Sequence, residues 1–581
     1  MLRLAVALGI GIAGLVFASP ALAQTTELLP GVTIQDDVQF TPHGPVAIRV
    51  VRGPRPSGLY RLEPTLSNDA VTGRETLTSM ERRLGSQGTA VGINGDYFSF
   101  RDGHPSGILL RDGALVSQPN AGRSSLGIAG DGTLDVRRIR LLGRWEGLSD
   151  QWLSLAGFNA PPPANGTSLF TSDWGATTPK IPGSVAAVLS PFSTATPGAD
   201  LVGAVSDTLT NAAVPLAPGT AVLVARGSAA ERLATEAPLG ASVTVRLNLA
   251  PGWPGIVDAI GGGPTLLQDG RPVLSANEAF STSQLAPRAP RSAVGQTADG
   301  RIVLVAVDGR QRGYSVGMTN FELAQTMMRL GAVRAMALDS GGSTTLAFDG
   351  SLLNRPSDGR ERPIATALLL MYSGVYSPAP RVAVVSPNGD GVDDAEQLSY
   401  KLVRPSTTIV KLLAPDGTVA FQETGLRRPG RYRLSFPPSL TNSSQRSNGE
   451  RVPDGRWTLI LTATDDEGQT STTTRRLWVN STVGFLRVTP RTLPRFPRGA
   501  QVRIAWAQTR PARVTVQIET GQGVVVRTVA RGTYQGGSVS AVWNGLRKDG
   551  KPAYGGSYRV VITAKNALGT VSLDQPLQIR R

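Results

Sequence analysis

From Val46 to about Tyr376 the chain alternates short apolar runs with glycine-marked turns, and only two stretches space their apolar residues as a helix does. Arg74 to Leu84 sets Leu77, Met80 and Leu84 on one face, with Gly85 behind them as a stop. Thr319 to Leu330 is better signalled: Thr319 and Glu322 form a capping box, and Leu323, Met327 and Leu330 make the apolar stripe. A strand, Arg301 to Val307, precedes this helix, and another, Val333 to Leu338, follows it. Strand, crossover helix and strand predict parallel neighbours whose C-terminal ends lie on one edge of the sheet. Asp308 and Asp339 occupy those two ends, so the carboxylates are expected to share a site. Residues 46–376 thus read as an α+β catalytic domain with a mixed sheet and few helices, after a lead-in of one or two strands at 24–45.

Past the segment Tyr376-Ser377-Pro378-Ala379-Pro380 the helical spacing vanishes and alternating strands take over. The string Asp454-Gly455-Arg456-Trp457 and its strand Thr458 to Ala463 are echoed by Gly555-Gly556-Ser557-Tyr558 and Arg559 to Ala564. Each copy is a glycine turn, an aromatic and a strand near the end of a module of roughly 100 residues, the size of an Ig-like sandwich. Two all-β Ig-like sandwiches are therefore expected, at 381–484 and 485–581.

Composition narrows the chemistry. Residues 1–23 read as a secretory signal peptide: Arg3 gives the positive start, Leu4 to Phe17 the apolar run, and Ala21-Leu22-Ala23 the cleavage pattern. No stretch is long enough to span a bilayer after its removal, so a secreted or cell-envelope protein is expected. The absence of cysteine among 581 residues excludes disulfides, thiolate metal sites and Cys nucleophiles. Two histidines, His43 and His104, leave no multi-histidine zinc site. The net charge of +16 fits an anionic envelope polysaccharide as partner. No basic stripe with interleaved aromatics suggests nucleic acid.

Five segments of the large unit are dense in polar groups. Asn94-Gly95-Asp96-Tyr97-Phe98 sets Asn94 and Asp96 on one strand face, or else forms an Asn-Gly turn; His104 follows in a loop as a candidate acid or base. Gly261-Gly262-Gly263-Pro264 suits a backbone nest or a close strand crossing. Arg291-Ser292-Ala293-Val294-Gly295 brings an arginine into an apolar strand, where it pairs with a carboxylate or clamps an anion. Asp308-Gly309-Arg310 leads towards the capped helix. Asp339-Ser340-Gly341-Gly342-Ser343-Thr344 joins a carboxylate, two glycines and hydroxyls at a strand end, which suits phosphate or sugar oxygens.

In this order the five segments resemble the phosphodiester glycosidase family, over roughly residues 45 to 375. The resemblance implies hydrolysis of the bond between a sugar's anomeric carbon and a phosphodiester oxygen, leaving phosphate on the acceptor. It implies catalytic roles for Asn94, Asp96, Arg291, Asp308 and Asp339, with Arg291 on the phosphate and one of the two strand-end aspartates as base or nucleophile. Substrate binding falls to His104, Gly262, Gly263, Arg310, Gly341, Gly342, Ser343 and Thr344. No cofactor is required by this chemistry. Ser340 departs from the family pattern, which usually has a third glycine there. Two other classes of function fit the same residues: a non-catalytic wall- or polysaccharide-binding protein that keeps the pocket, and a metal-dependent phosphodiesterase.

The C-terminal part resembles Ig-like domains of the flagellar hook-capping type, which implies a spacer or adhesive role. Its string Asn388-Gly389-Asp390-Gly391-Val392-Asp393-Asp394 alternates oxygen ligands with glycine turns, so Asn388, Asp390, Asp393 and Asp394 are expected to hold a structural Ca²⁺.

Overall fold

A computed structural model describes residues 25–273, 277–382, 384–437, 452–493 and 501–580, and the expected signal peptide lies outside them. Two compact units emerge. The first joins the stretch ending at Ser57 with Leu62–Arg82 and Val91–Leu370; the second joins Gly58–Arg61 and Arg83–Ala90 with the stretch from Met371.

The eight-stranded sheet of the first unit that matters most runs in the order Thr25–Leu29, Val32–Thr41, Gly44–Gly53, Ile302–Val307, Arg291–Thr297, Ala332–Ala337, Thr265–Gln268, Arg271–Pro272. The expected lead-in is thus an integral edge of this sheet. Every pairing in it is antiparallel. The expected parallel adjacency of the strands flanking the capped helix is therefore corrected. Residues 291–297 and 302–307 pair as a hairpin around a short turn, and the 332–337 strand takes the hairpin's free edge. The two strands still point the same way, with Arg291–Thr297 between them, so their C-terminal ends do lie on one edge. A hairpin needs only a local turn, whereas the third strand reaches the sheet only by way of the helix.

The helix itself is as expected. It spans Asn320–Arg329 and Thr319 caps it: the Glu322 N–H donates to Thr319 Oγ1 at 3.3 Å, and the Thr319 N–H donates to Glu322 Oε2 at 2.9 Å. Leu323 and Met327 are fully buried against Val303, Val305, Ala335 and Ala337, which anchors the helix over the sheet. The earlier helix covers Leu77–Arg83 and ends in a tight turn at Leu84–Ser86. A second eight-stranded sheet of this unit encloses its own core around Trp145, Phe158 and Leu223.

In the second unit each Ig-like module sets a five-stranded sheet beside a smaller one. The orders correspond: Val384–Val385, Thr470–Val479, Gly455–Asp465, Ser406–Leu413, Val419–Arg427 in the first, and Thr492–Leu493, Gly569–Ile579, Gly556–Asn566, Ala512–Thr520, Val525–Tyr534 in the second. The repeat extends to single hydrogen bonds. Trp457 Nε1 donates to the Pro453 carbonyl at 2.9 Å, and the Tyr558 hydroxyl donates to the Tyr554 carbonyl at 2.7 Å, each four residues back. The expected boundary at 484/485 falls inside the strand Val483–Thr489, which pairs with Val502–Gln508 of the second module.

Candidate active site

The 332–337 strand carries the chain to Leu338 and Asp339. The Asp339 N–H donates to the Gly95 carbonyl at 2.9 Å, which ties this strand end to the Asn94–Tyr97 segment. Asn94 completes the joint: its Nδ2 donates to the Asp339 carbonyl at 2.8 Å, while its Oδ1 accepts from Ser292 Oγ at 2.5 Å and from the Thr345 N–H at 3.1 Å. Fully buried, Asn94 is a strut that fixes the Asp339 loop.

The Asp339 carboxylate accepts from the Ser340 N–H at 2.8 Å. Burial pushes its pKa up to about 6, against the pull of Ser343, the Ser340 N–H and the guanidinium groups of Arg362 and Arg123. The following turn, Gly341–Ser343, is buried. Gly341 has φ 68° and Arg310, itself left-handed at φ 58°, sets a guanidinium nitrogen 3.0 Å from where a Cβ on Gly341 would sit. Gly342 leaves no room for a side chain because Arg362 and Asp358 fill that space. Ser340 is extended at φ −123°, a conformation that needs no glycine, so the family departure is accommodated. Its hydroxyl faces the Tyr97 phenol.

Asp96 is the second buried carboxyl. Its Oδ1 accepts from the Tyr97 N–H at 2.8 Å, and its Oδ2 has no hydrogen-bond partner. Burial pushes its pKa up to about 7; the Arg123 charge opposes this and the Asp339 charge adds to it. Gly107 and Gly261 crowd the Asp96 carboxyl with backbone alone, which gives both glycines a packing reason. Burial and the Asp339 charge push the Tyr97 phenol up as well. Arg123 lies over two aromatic rings, its guanidinium carbon 4.9 Å from the Tyr97 centroid and 4.5 Å from that of Phe280. Arg362 donates from Nη2 to Asp358 Oδ2 at 2.6 Å and reaches Ser343 Oγ at 3.4 Å. The exposed Phe100 ring lies 5.6 Å from Arg362.

Two expected catalytic residues have their polar atoms engaged by protein groups. Asp308 accepts from Arg49 Nη1 at 2.5 Å, the Tyr314 hydroxyl at 2.9 Å, Asn354 Nδ2 at 3.0 Å and the Arg355 N–H at 3.1 Å, with no exposed side-chain surface. Arg291 spends its guanidinium on carbonyls: Nε on Met318 at 3.0 Å, Nη1 on Gln284 at 3.2 Å, Nη2 on Pro287 at 2.7 Å and on Leu285 at 3.4 Å. The register explains the separation. Arg291 pairs with Val307, so the two share a face, and Asp308, one residue on, turns to the other. Asp308 and Arg291 are thus held by protein groups on opposite faces of the sheet, and the Arg291 charge still bears on Tyr97 and Arg310. Ala293 pairs with Ala337, which puts Asp339 on the Arg291 side of the sheet.

The remaining expected residues divide similarly. Gly262 and Gly263 use their missing side chains for packing, against Met336 and Ala337 and against Glu278 and Phe280. His104 Nδ1 is 2.7 Å from Asp102 Oδ1, and its ring packs 6.2 Å from that of Trp174. Thr344 is buried beside the loop with an unpartnered Oγ1. Arg123, Arg362, Asp358 and Tyr97 complete the cluster. The first three were silent in the sequence because single charged residues in loops carry no spacing signal.

The expected calcium loop is turned inward on amides. Asp394 accepts from the N–H groups of Asn388 at 2.9 Å, Gly389 at 2.7 Å and Gly391 at 2.7 Å. Asp390 accepts from Val392 at 2.9 Å and from Phe485 of the next module at 2.7 Å. Asn388 reaches the Val483 carbonyl at 3.3 Å, while Asp393 is exposed with φ 50°. This loop clasps the second module to the first. Among the described residues no group of three or more His, Cys, Asp or Glu is placed to hold a metal ion, and no helix is long and apolar enough to cross a membrane.

Residues 201–371 match the phosphodiester glycosidase family, and residues 494–567 match the FlgD Ig-like domain. Both parts of the resemblance are thus shown: a phosphodiester-glycosidase segment followed by an FlgD-type Ig-like domain. A stretch of 155 residues is 30% identical to the SPbeta prophage-derived uncharacterized protein YomE of Bacillus subtilis, covering 26% of this chain and 24% of that protein. A stretch of 70 residues is 40% identical to the N-acetylglucosamine-1-phosphodiester alpha-N-acetylglucosaminidase of Bos taurus, covering 12% of each. The chain thus spans no more than about a quarter of the length of these two relatives. A hypothetical protein from Synechocystis shares the fold, with a TM-score of 0.52 at 24% identity over 60% of this chain and 64% of that one. The family stretch contains Asp339, Arg310 and Arg362 but not Asp96 or Arg123.

Proposed function

We propose that the first unit hydrolyses a glycosyl phosphodiester between the anomeric carbon and the phosphodiester oxygen, releasing the sugar and leaving phosphate on its acceptor. The observation that carries this reading is Asp339: a buried carboxyl raised to about 6, ionised at neutral pH, with Arg362 and Arg123 near enough to bear on its charge. A carboxylate in that state meets the positive charge that develops at the anomeric carbon, as base for a water or as nucleophile. Asp96, raised to about 7, keeps its proton for much of the neutral range and adds little repulsion to an incoming phosphate.

The guanidinium groups of Arg123, Arg362 and Arg310, with the Ser343 hydroxyl, take the phosphate oxygens. Phosphate leaves readily from carbon, so the site needs charge stabilisation more than a strong acid. The bond broken is sugar carbon to oxygen; water supplies the hydroxyl to the sugar and a proton to the departing phosphate. The expected leader at 1–23 supports an exported enzyme acting in the cell envelope.

The test is product analysis on a sugar 1-phosphodiester of defined acceptor. Free sugar with phosphate retained on the acceptor is expected. Sugar phosphate as product, lost on chelation, would instead support a metal-dependent phosphodiesterase, and binding without turnover a non-catalytic polysaccharide-binding protein.

A further inference from the structure

The charge of the chain is unevenly placed. Residues 381–581 hold 29 of the 59 Lys and Arg but only 14 of the 43 Asp and Glu, so nearly all of the net +16 lies in the Ig-like part. Five of those cations have carboxylate partners. Arg404 pairs with Asp466, Arg427 with Glu423, Arg510 with Asp454, Arg547 with Asp549 and Arg559 with Glu519.

One cluster sets two arginines beside an exposed tryptophan. In the five-stranded sheet of the first module, Trp457, Leu459, Leu461, Leu477 and Val479 face the core. The pleat therefore turns Arg456, Arg476 and Trp478 outward. Arg456 stands directly across from Trp478, and Arg476 directly across from Thr458 on the same face. Directly opposed residues lie about 5 Å apart and diagonal ones about 7–8 Å, so Trp478 and the two arginines occupy adjoining positions on one face. Trp478 is 39% exposed, a costly placement for the largest apolar side chain. Neither arginine meets a carboxylate among the described residues. Further along the face the hydroxyls of Thr462 and Thr472 lie 3.1 Å apart and those of Thr464 and Thr470 2.9 Å apart, making a flat polar ladder.

The second module shows that the fold does not demand this. Its sheet has the same strand order, yet Ser557 and Gln578 stand where the first module has Arg456 and Trp478. Pro576 stands in place of Arg476, and its cross-strand neighbour Arg559 is paired with Glu519.

We propose that the outer face around Trp478 binds a glycan chain bearing carboxylate or phosphate groups. An indole face stacks on the C–H face of a pyranose, guanidinium groups take planar anions with two hydrogen bonds, and threonine hydroxyls suit sugar hydroxyls. A single-stranded nucleic acid calls instead for a row of aromatics, and this face has one. The site is independent of the Asp339 centre and gives the exported enzyme a hold on an anionic matrix.

The experiment is binding of the full chain at physiological salt to polygalacturonate, to a phosphomannan, to neutral dextran and to single-stranded DNA. Trp478→Ala and the double variant Arg456→Gln/Arg476→Gln should each weaken binding to one or both anionic glycans by about tenfold, with the melting temperature unchanged. Arg513→Gln/Lys565→Gln, which removes equal charge from the same face of the second module, should change it less than about twofold. Polygalacturonate and phosphomannan distinguish carboxylate from phosphate as the group recognised. Equal weakening by the two double variants, tighter binding to DNA than to either glycan, or no effect of Trp478→Ala would overturn the proposal. Should Trp478→Ala fold poorly, the comparison of the two double variants decides.

Discussion

Two strands of one sheet end in an aspartate on the same edge, and the protein treats the two carboxyls oppositely. Asp308 is surrounded by donors, with Arg49, Tyr314, Asn354 and the Arg355 amide all on its two oxygens. Asp339 has fewer direct partners, is buried, and is raised to about 6. On the proposed function, partner number and not position along the strand separates the two carboxylates. A carboxylate whose lone pairs are all used has nothing left for a substrate, whereas one held charged by distant guanidinium groups has.

The sharpest way to break this comparison is to neutralise each acid in turn. Asp339→Asn should lower kcat/KM for a glycosyl phosphodiester by about a thousandfold or more while moving the melting temperature little, as activity assays beside thermal melts will show. Asp308→Ala should do the reverse: urea unfolding should reveal a loss of about 2–4 kcal/mol, because the Tyr314 hydroxyl, Asn354 Nδ2 and the Arg355 amide lose their acceptor and Arg49 keeps only Asp36. A large stability loss for Asp339→Asn, with Asp308→Ala benign, would invert the assignment.

A smaller effect should appear in stability against pH. Asp96 and Asp339 are raised above the ordinary value of 3.8, to about 7 and about 6, so the folded state binds these protons more tightly than the unfolded chain. Their contribution is complete below about pH 4 and is lost as pH rises towards 7. Denaturation midpoints should therefore fall over that window, and Asp96→Asn should flatten the slope. A slope that Asp96→Asn leaves unaltered would mean that this carboxyl titrates normally.

Much of the scaffold was legible in the sequence because its signals are local. The capping box of Thr319 and Glu322, the stripe of Leu323 and Met327, and the strand Ala332–Ala337 that leads to Asp339 each depend on neighbours within a few residues. The common edge of the two strands was legible too, but not the strand inserted between them, since pairing partners are chosen across the fold. That Asp308 turns away from the Arg291 and Asp339 side was hidden for a related reason: one residue of register sends a side chain to the opposite face, and register is absent from a single sequence. Arg123 and Arg362 were unreadable. Each is one arginine in a loop, brought to Asp339 by tertiary structure alone. The inward turn of Asp394 onto three backbone amides in Asn388 to Asp394 was not legible either, because it depends on how the loop folds back.

The central claim, that a raised Asp339 tuned by Arg362 does the chemistry, is tested most directly by kcat/KM against pH for the wild type and Arg362→Gln. The account predicts an acid limb breaking near pH 6 in the wild type and at higher pH in the variant, since Arg362 holds that carboxyl down. A profile flat from pH 5 to about 7, or a break that Arg362→Gln leaves in place, would contradict it.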